Sequence, residues 1–138
     1  IDADSLMEIA RRSRATPRTA NYLLKRCRDF AAVSGEPLNI KTVKKALVLL
    51  EIDEIGLNQV DRDIITLLVD KFQGGPVGLK TIAAALSEEE GTIEEVHEPY
   101  LLQVGLIERT PRGRTVTNQG YQHIGAERPG AAQSKLIN

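Results

Sequence analysis

A mainly α-helical chain with one short β-hairpin near its end is the fold class this sequence predicts. Three observations lead there. Apolar residues make up 41% of the 138 positions while aromatics supply only 4% and Trp is absent. Leu, Ile, Val and Ala must therefore fill the core, a palette that suits helices better than an aromatic-rich sandwich. Apolar residues also recur at three- and four-residue spacing through most of the chain. The spacing lapses once, where Leu106-Ile107 and Thr115-Val116-Thr117 flank Arg109-Thr-Pro-Arg-Gly-Arg114, two strand-like runs around a Pro and a Gly.

The elements follow in order. Ser5-Leu-Met-Glu8 has capping-box spacing and predicts a short first helix with Leu6, Ile9 and Ala10 on one face, ending in Arg12-Ser13-Arg14. Thr16-Pro17 restarts the chain, with Thr as N-cap and Pro at the first helical position, where its missing donor would be orphaned anyway. Ala20, Leu23, Leu24, Cys27, Phe30 and Ala31 follow at helical spacing, and Ser34-Gly35 ends the helix. A third helix from about Lys41 to Glu51 turns Val43, Ala46, Leu47 and Leu50 inward. Residues 1–53 thus form a small helical bundle.

Asp53-Glu-Ile-Gly56 reads as a domain boundary, and residues 57–125 as a second domain. Asp61 is placed to cap a helix carrying Ile64, Ile65, Leu67, Leu68 and Phe72, which Gly74-Gly-Pro-Val-Gly78 breaks. Leu79 to Leu86 is a second helix. Thr92 caps a third through about Val104, with a kink or break expected at Pro99. Gly105 ends it, the hairpin follows, and Asn118 to Ile124 closes the domain. Helix, helix, then basic hairpin is the layout of a winged-helix domain. Residues 126–138 have low hydrophobicity and are expected to be a mobile tail.

Charge and composition remove some function classes. The net charge of −1 argues, as a total, against a nucleic-acid binder. Its distribution matters more: the second half is acidic overall, yet its arginines gather at the hairpin, and local concentration decides where a phosphate sits. No apolar run approaches the roughly 20 residues a membrane span requires. The acidic start without an initiator Met gives no secretory signal and suggests a chain cut from a longer protein. The lone Cys27 cannot form an internal disulfide, which favours a reducing cytoplasm, and it lies on an apolar stripe as a packed residue. His97 and His123 have no metal-ligand neighbours and read as ordinary surface or boundary residues, so no metal site is expected. No catalytic set is present, and without G-x-x-x-x-G-K-[ST] the chain cannot cradle a nucleoside triphosphate by itself.

Two candidate sites remain. Arg109, Arg112 and Arg114 on the hairpin have only Glu108 as a local carboxylate partner, so an anion such as DNA phosphate would relieve their repulsion. The third helix of this half would enter the major groove in a base-reading protein. It carries Glu94, Glu95 and Glu98, with Glu88-Glu-Glu90 just before it and no Lys or Arg between. Each like-charge contact at 5–6 Å costs about 1 kcal/mol, so this helix is expected not to read bases. It is either a solvated acidic face or a protein-docking one. Arg18, in the first turn after Thr16-Pro17, opposes the helix dipole. It is either simply solvated or aimed, with the helix amides, at an anion such as a nucleotide phosphate.

Nearly the whole chain, from about Asp4 to Gly125, resembles the RuvB family of bacterial Holliday-junction branch-migration ATPases. The resemblance rests on Ala15-Thr-Pro-Arg-Thr-Ala-Asn-Tyr-Leu-Leu-Lys-Arg-Cys-Arg-Asp-Phe30, Gly74-Gly-Pro-Val-Gly-Leu79, Thr92-Ile-Glu, Glu98-Pro-Tyr-Leu101 and Arg109-Thr-Pro-Arg-Gly-Arg114. It implies that residues 1–53 are the helical lid that follows an AAA+ ATPase core and that residues 57–125 are the winged-helix domain. Arg18, with Pro17 beside it, matches the sensor-2 arginine that contacts ATP on the core. Arg112 and Arg114 foremost, and Arg109, match the part that meets the duplex backbone. The family implies ATP and Mg bound mainly by that core, a homo-hexamer around DNA, and RuvA and RuvC as partners on the junction. Walker motifs, arginine finger and RuvA-binding hairpin are not in this sequence, so it is expected to be inactive alone. Ala15 departs from the Gly expected there.

The expected function is a C-terminal piece of a DNA helicase or translocase for recombination and repair, gripping duplex backbone without sequence preference while the lid senses ATP. The alternatives are a sequence-specific winged-helix transcription regulator and a protein-interaction winged helix.

Overall fold

The computed structural model describes residues 1–128; residues 129–138, most of the expected tail, lie outside the described residues. Two compact units are present, one of Ile1–Gln59 and one from Val60 onward.

The first unit contains α1 (Ala3–Arg11), α2 (Pro17–Ser34) and α3 (Ile40–Leu49). α2 starts and stops as its sequence predicts. Thr16 Oγ1 accepts from Thr19 N at 3.2 Å, Pro17 occupies the first turn, and Gly35 ends the helix at φ +71°. Asn39 caps α3 by accepting from Thr42 N. Ile9, Leu23, Cys27, Val43, Ala46 and Leu47 form the buried core, with Leu24, Phe30, Leu38, Leu50 and Ile52 packed around it.

α1 differs from expectation. The Ser5–Glu8 capping box does not form: the helix starts earlier, and Asp2 is the N-cap, accepting from Ser5 N at 2.8 Å. Ser5, Glu8 and Ile9 face inward while Leu6 and Ala10 are exposed. The apolar stripe loses because the buried carboxylate is satisfied. Arg12 Nε donates to Glu8 Oε1 at 2.8 Å, and Arg12 NH1 reaches the Ile52 carbonyl.

The predicted boundary is a turn that belongs to this first unit. Asp53 Oδ1 accepts from Ile55 N and Leu57 N, Leu57 is fully buried, and Arg14 Nε donates to the Gly56 carbonyl at 3.1 Å. The division falls at Gln59, where α4 begins.

The second unit holds α4 (Gln59–Phe72), α5 (Leu79–Leu86), a single turn α6 (Glu90–Thr92), a π-helical turn (Ile93–His97), α7 (Glu98–Gln103), strands β1 (Ile107–Thr110) and β2 (Gly113–Val116), and α8 (Asn118–His123). Ile64, Ile65, Leu68, Ile82, Ile93, Leu101, Ile107, Val116 and Tyr121 are buried in it. Asp61 does not cap α4, which starts two residues before it; it lies in the first turn, fully buried. After α4, Gly74 and Gly75 take positive φ and the Gly75–Pro76 bond is cis.

β1 and β2 pair antiparallel, with Ile107 opposite Val116 and Arg109 opposite Arg114. Val77 extends this ladder by one bridge, exchanging both backbone hydrogen bonds with Arg114 at 3.0 and 2.8 Å. Gly113 has to be Gly. Its φ is +133°, and a Cβ there would lie 2.5 Å from the Val77 carbonyl.

The break expected near Pro99 takes a specific form. Pro99 has no N–H to give to the turn before it, and the ladder widens into the π-turn, where Glu98 N donates to Ile93 O. Five-residue spacing brings Glu98 round to the buried side with Ile93. A regular helix would have left it on the acidic surface with Glu94 and Glu95.

Candidate nucleic-acid interface

The hairpin tip is Pro111-Arg112, between the two strands. Thr110 Oγ1 donates to the Gly113 carbonyl at 2.7 Å and accepts from Arg112 N at 3.2 Å, which fixes the turn. Arg112 is exposed, and its guanidinium has no protein partner among the described residues.

The other two arginines are held. Glu98, only 1% exposed, accepts from Arg114 Nε at 2.8 Å and Arg114 NH2 at 3.1 Å, and also from Arg109 NH2. The Arg114 side chain is 13% exposed and that of Arg109 53%. Two sequence expectations are corrected here. The wing arginines are not short of carboxylate partners, because the π-turn delivers one from eleven residues upstream. Glu98 likewise does not belong to the solvent-facing acid cluster.

Burial by itself would raise the Glu98 carboxyl, but hydrogen bonds from Arg114 and Arg109 outweigh that and hold it below the usual carboxylate range. Glu94 stands 4.0 Å from Arg114 at the edge of the same cluster. Glu89, Glu90, Glu94 and Glu95 are exposed, so the face a base-reading helix would use is anionic, as expected.

His97, expected at the surface or at a boundary, is buried. Its Nδ1 lies 2.7 Å from Asp61 Oδ1, whose side chain is fully enclosed. Each gives the other a polar partner in the interior. Spacing could not show this, since the two are 36 positions apart.

In the first unit, Arg18 is exposed in the first turn of α2. It has no protein partner among the described residues. Pro17 is exposed beside it, and the preceding Arg14 and Ala15 both take left-handed φ, +59° and +58°. Thr16 already satisfies Thr19 N. The exposed Arg18 guanidinium is free, among the described residues, to donate to an anion. Cys27 is fully buried, as expected, and burial pushes its thiol up. Among the described residues no three His, Cys, Asp or Glu are grouped to hold a metal ion, and no helix is long and apolar enough to cross a membrane.

A three-helix bundle is followed by a helical domain whose paired strands form a basic wing; this is the winged-helix class, coupled to an AAA+-type lid. Residues 54–125 match the RuvB C-terminal winged helix domain and residues 1–53 the RuvB AAA lid domain. The chain belongs to the RuvB family. It is 56% identical over 126 residues to the Holliday junction branch migration complex subunit RuvB of Lacticaseibacillus casei (strain BL23), and equally so to that of Lactobacillus gasseri. Each alignment covers 91% of this chain and 37% of the relative. Among solved structures it is similar to the Thermotoga maritima RuvB Holliday junction branch migration motor, at TM-score 0.83 and 47% identity, over 88% of this chain and 41% of that one. The P216G mutant of the same protein gives 0.88 and 44%, over 93% and 43%. The chain thus spans well under half the length of these relatives.

Proposed function

We propose that the winged unit holds the duplex backbone for Holliday-junction branch migration, without reading sequence. The observation that carries this is the pairing of an exposed Arg112 at the wing tip, without a protein partner among the described residues, with an anionic face where a base-reading helix would need donors. Arg112 makes the leading phosphate contact. Arg109, half exposed, adds its outer edge, and Arg114 contributes mainly by holding the strand in place. A motor that must travel along any DNA needs grip that is indifferent to bases.

In the lid, Arg18 and the Pro17 turn read the terminal phosphate of ATP, held with Mg on an ATPase core. These 138 residues carry no phosphate-cradling motif of their own. The same reading includes assembly as a hexamer around DNA, action with RuvA and RuvC on the junction in recombination and repair, and a cytoplasmic setting in keeping with the single Cys27. The test is binding to two duplexes of unrelated sequence at one salt concentration. Affinities within about twofold support the proposal. A preference of about a thousandfold, the scale of specific readers, would point to a sequence-specific regulator instead.

A further inference from the structure

Glu98 sits where two facts meet. Arg109 and Arg114 are register partners, so two like charges stand directly opposite on a two-stranded ladder, an arrangement that pushes strands apart. One carboxylate, brought inward by the π-turn, accepts from both. The residue before it, His97, faces the other way, to Asp61 on α4. The junction between the π-turn and α7 therefore ties the hairpin through Glu98 and α4 through His97, with no residue between.

We infer that Glu98 is the positioning residue of the wing: by clamping Arg109 and Arg114 it sets where Arg112 is presented. This rests on the wing reading above. The two can fail separately, because Glu98 touches no DNA in this scheme.

Charge alone predicts the opposite outcome from positioning, and that makes the test decisive. Glu98→Gln keeps the shape and removes one negative charge beside a polyanion site, so pure electrostatics would tighten duplex binding. Positioning predicts weakening, about fivefold, in protein that still melts cooperatively. The salt slope should hold, because no phosphate contact is lost. Amide hydrogen exchange should rise in residues 110–116 and stay unchanged in α4. Glu98→Asp, which keeps the charge but shortens the reach, should weaken binding as well.

Tighter or unchanged binding by Glu98→Gln would overturn the inference. If Arg112→Ala still lowers the slope, the wing reading survives that result; if Arg112→Ala changes nothing, the wing reading itself is wrong. Should Glu98→Gln not fold, Arg114→Lys answers the same question: the charge stays and the fork to Glu98 is lost. Binding about fivefold weaker at unchanged slope supports the clamp, and wild-type affinity contradicts it.

Discussion

Glu98 and Arg114 form a two-point contact across sixteen residues of sequence, Nε to Oε2 at 2.8 Å and NH2 to Oε1 at 3.1 Å, almost wholly out of solvent. Bidentate geometry fixes direction as well as distance. It makes the basic hairpin a braced structure and leaves Arg112 as the guanidinium of the wing with no protein partner among the described residues.

Acid should loosen the wing. The folded Glu98 carboxyl lies below its ordinary value of 4.5, so its contribution to stability is complete above that value and is lost as pH falls through the lower folded one. Melting of the second unit between pH 6 and 3 should show this loss, and Glu98→Gln should flatten it. An equally steep decline in the variant would assign the acid sensitivity elsewhere.

Gly113→Ala should damage the hairpin. The new methyl would meet the Val77 carbonyl at 2.5 Å with φ at +133°, at a cost of about 2 kcal/mol or more. Denaturant unfolding should record it, together with lost exchange protection at Val77 and Arg114.

Ala15→Gly should stabilise the first unit. Ala15 is left-handed at φ +58°, where a Cβ is penalised and Gly is not, and the net gain should be about 0.5–1 kcal/mol. The structure thus gives a cost to the Ala that stands where the family resemblance predicts Gly. A lower denaturant midpoint for the variant would mean that the turn relaxes some other way.

Arg18→Ala should leave melting within about 0.5 kcal/mol of the parent, as for a surface side chain without a protein partner among the described residues. In protein carrying the ATPase core, the same change should remove ATP-driven branch migration. Retained migration would return Arg18 to the status of a solvated cation.

Much of the fold is legible in the sequence because its signals are local. Thr16-Pro17, Gly35, the Leu79–Leu86 helix and the Arg109–Arg114 hairpin all lie where cap, breaker and turn chemistry predict. Three things are not legible. α1 buries Glu8 and exposes Leu6, since Arg12, itself held by the Ile52 carbonyl, satisfies the buried Glu8 carboxylate. His97 finds Asp61 across 36 positions. Glu98 leaves the acidic face because a π-turn shifts helical phase by one residue, which no 3.6-residue count anticipates. The Pro at 99 is the one hint, and it signals a break without saying which residue the break turns inward.

The most direct test of the wing as a backbone grip is the salt dependence of duplex binding with and without Arg112. Each phosphate contact contributes about 0.9 to the slope of log affinity against log salt, so Arg112→Ala should reduce its magnitude by about that amount on any duplex sequence. A slope identical to the parent's would show that the duplex is held elsewhere and contradict the account.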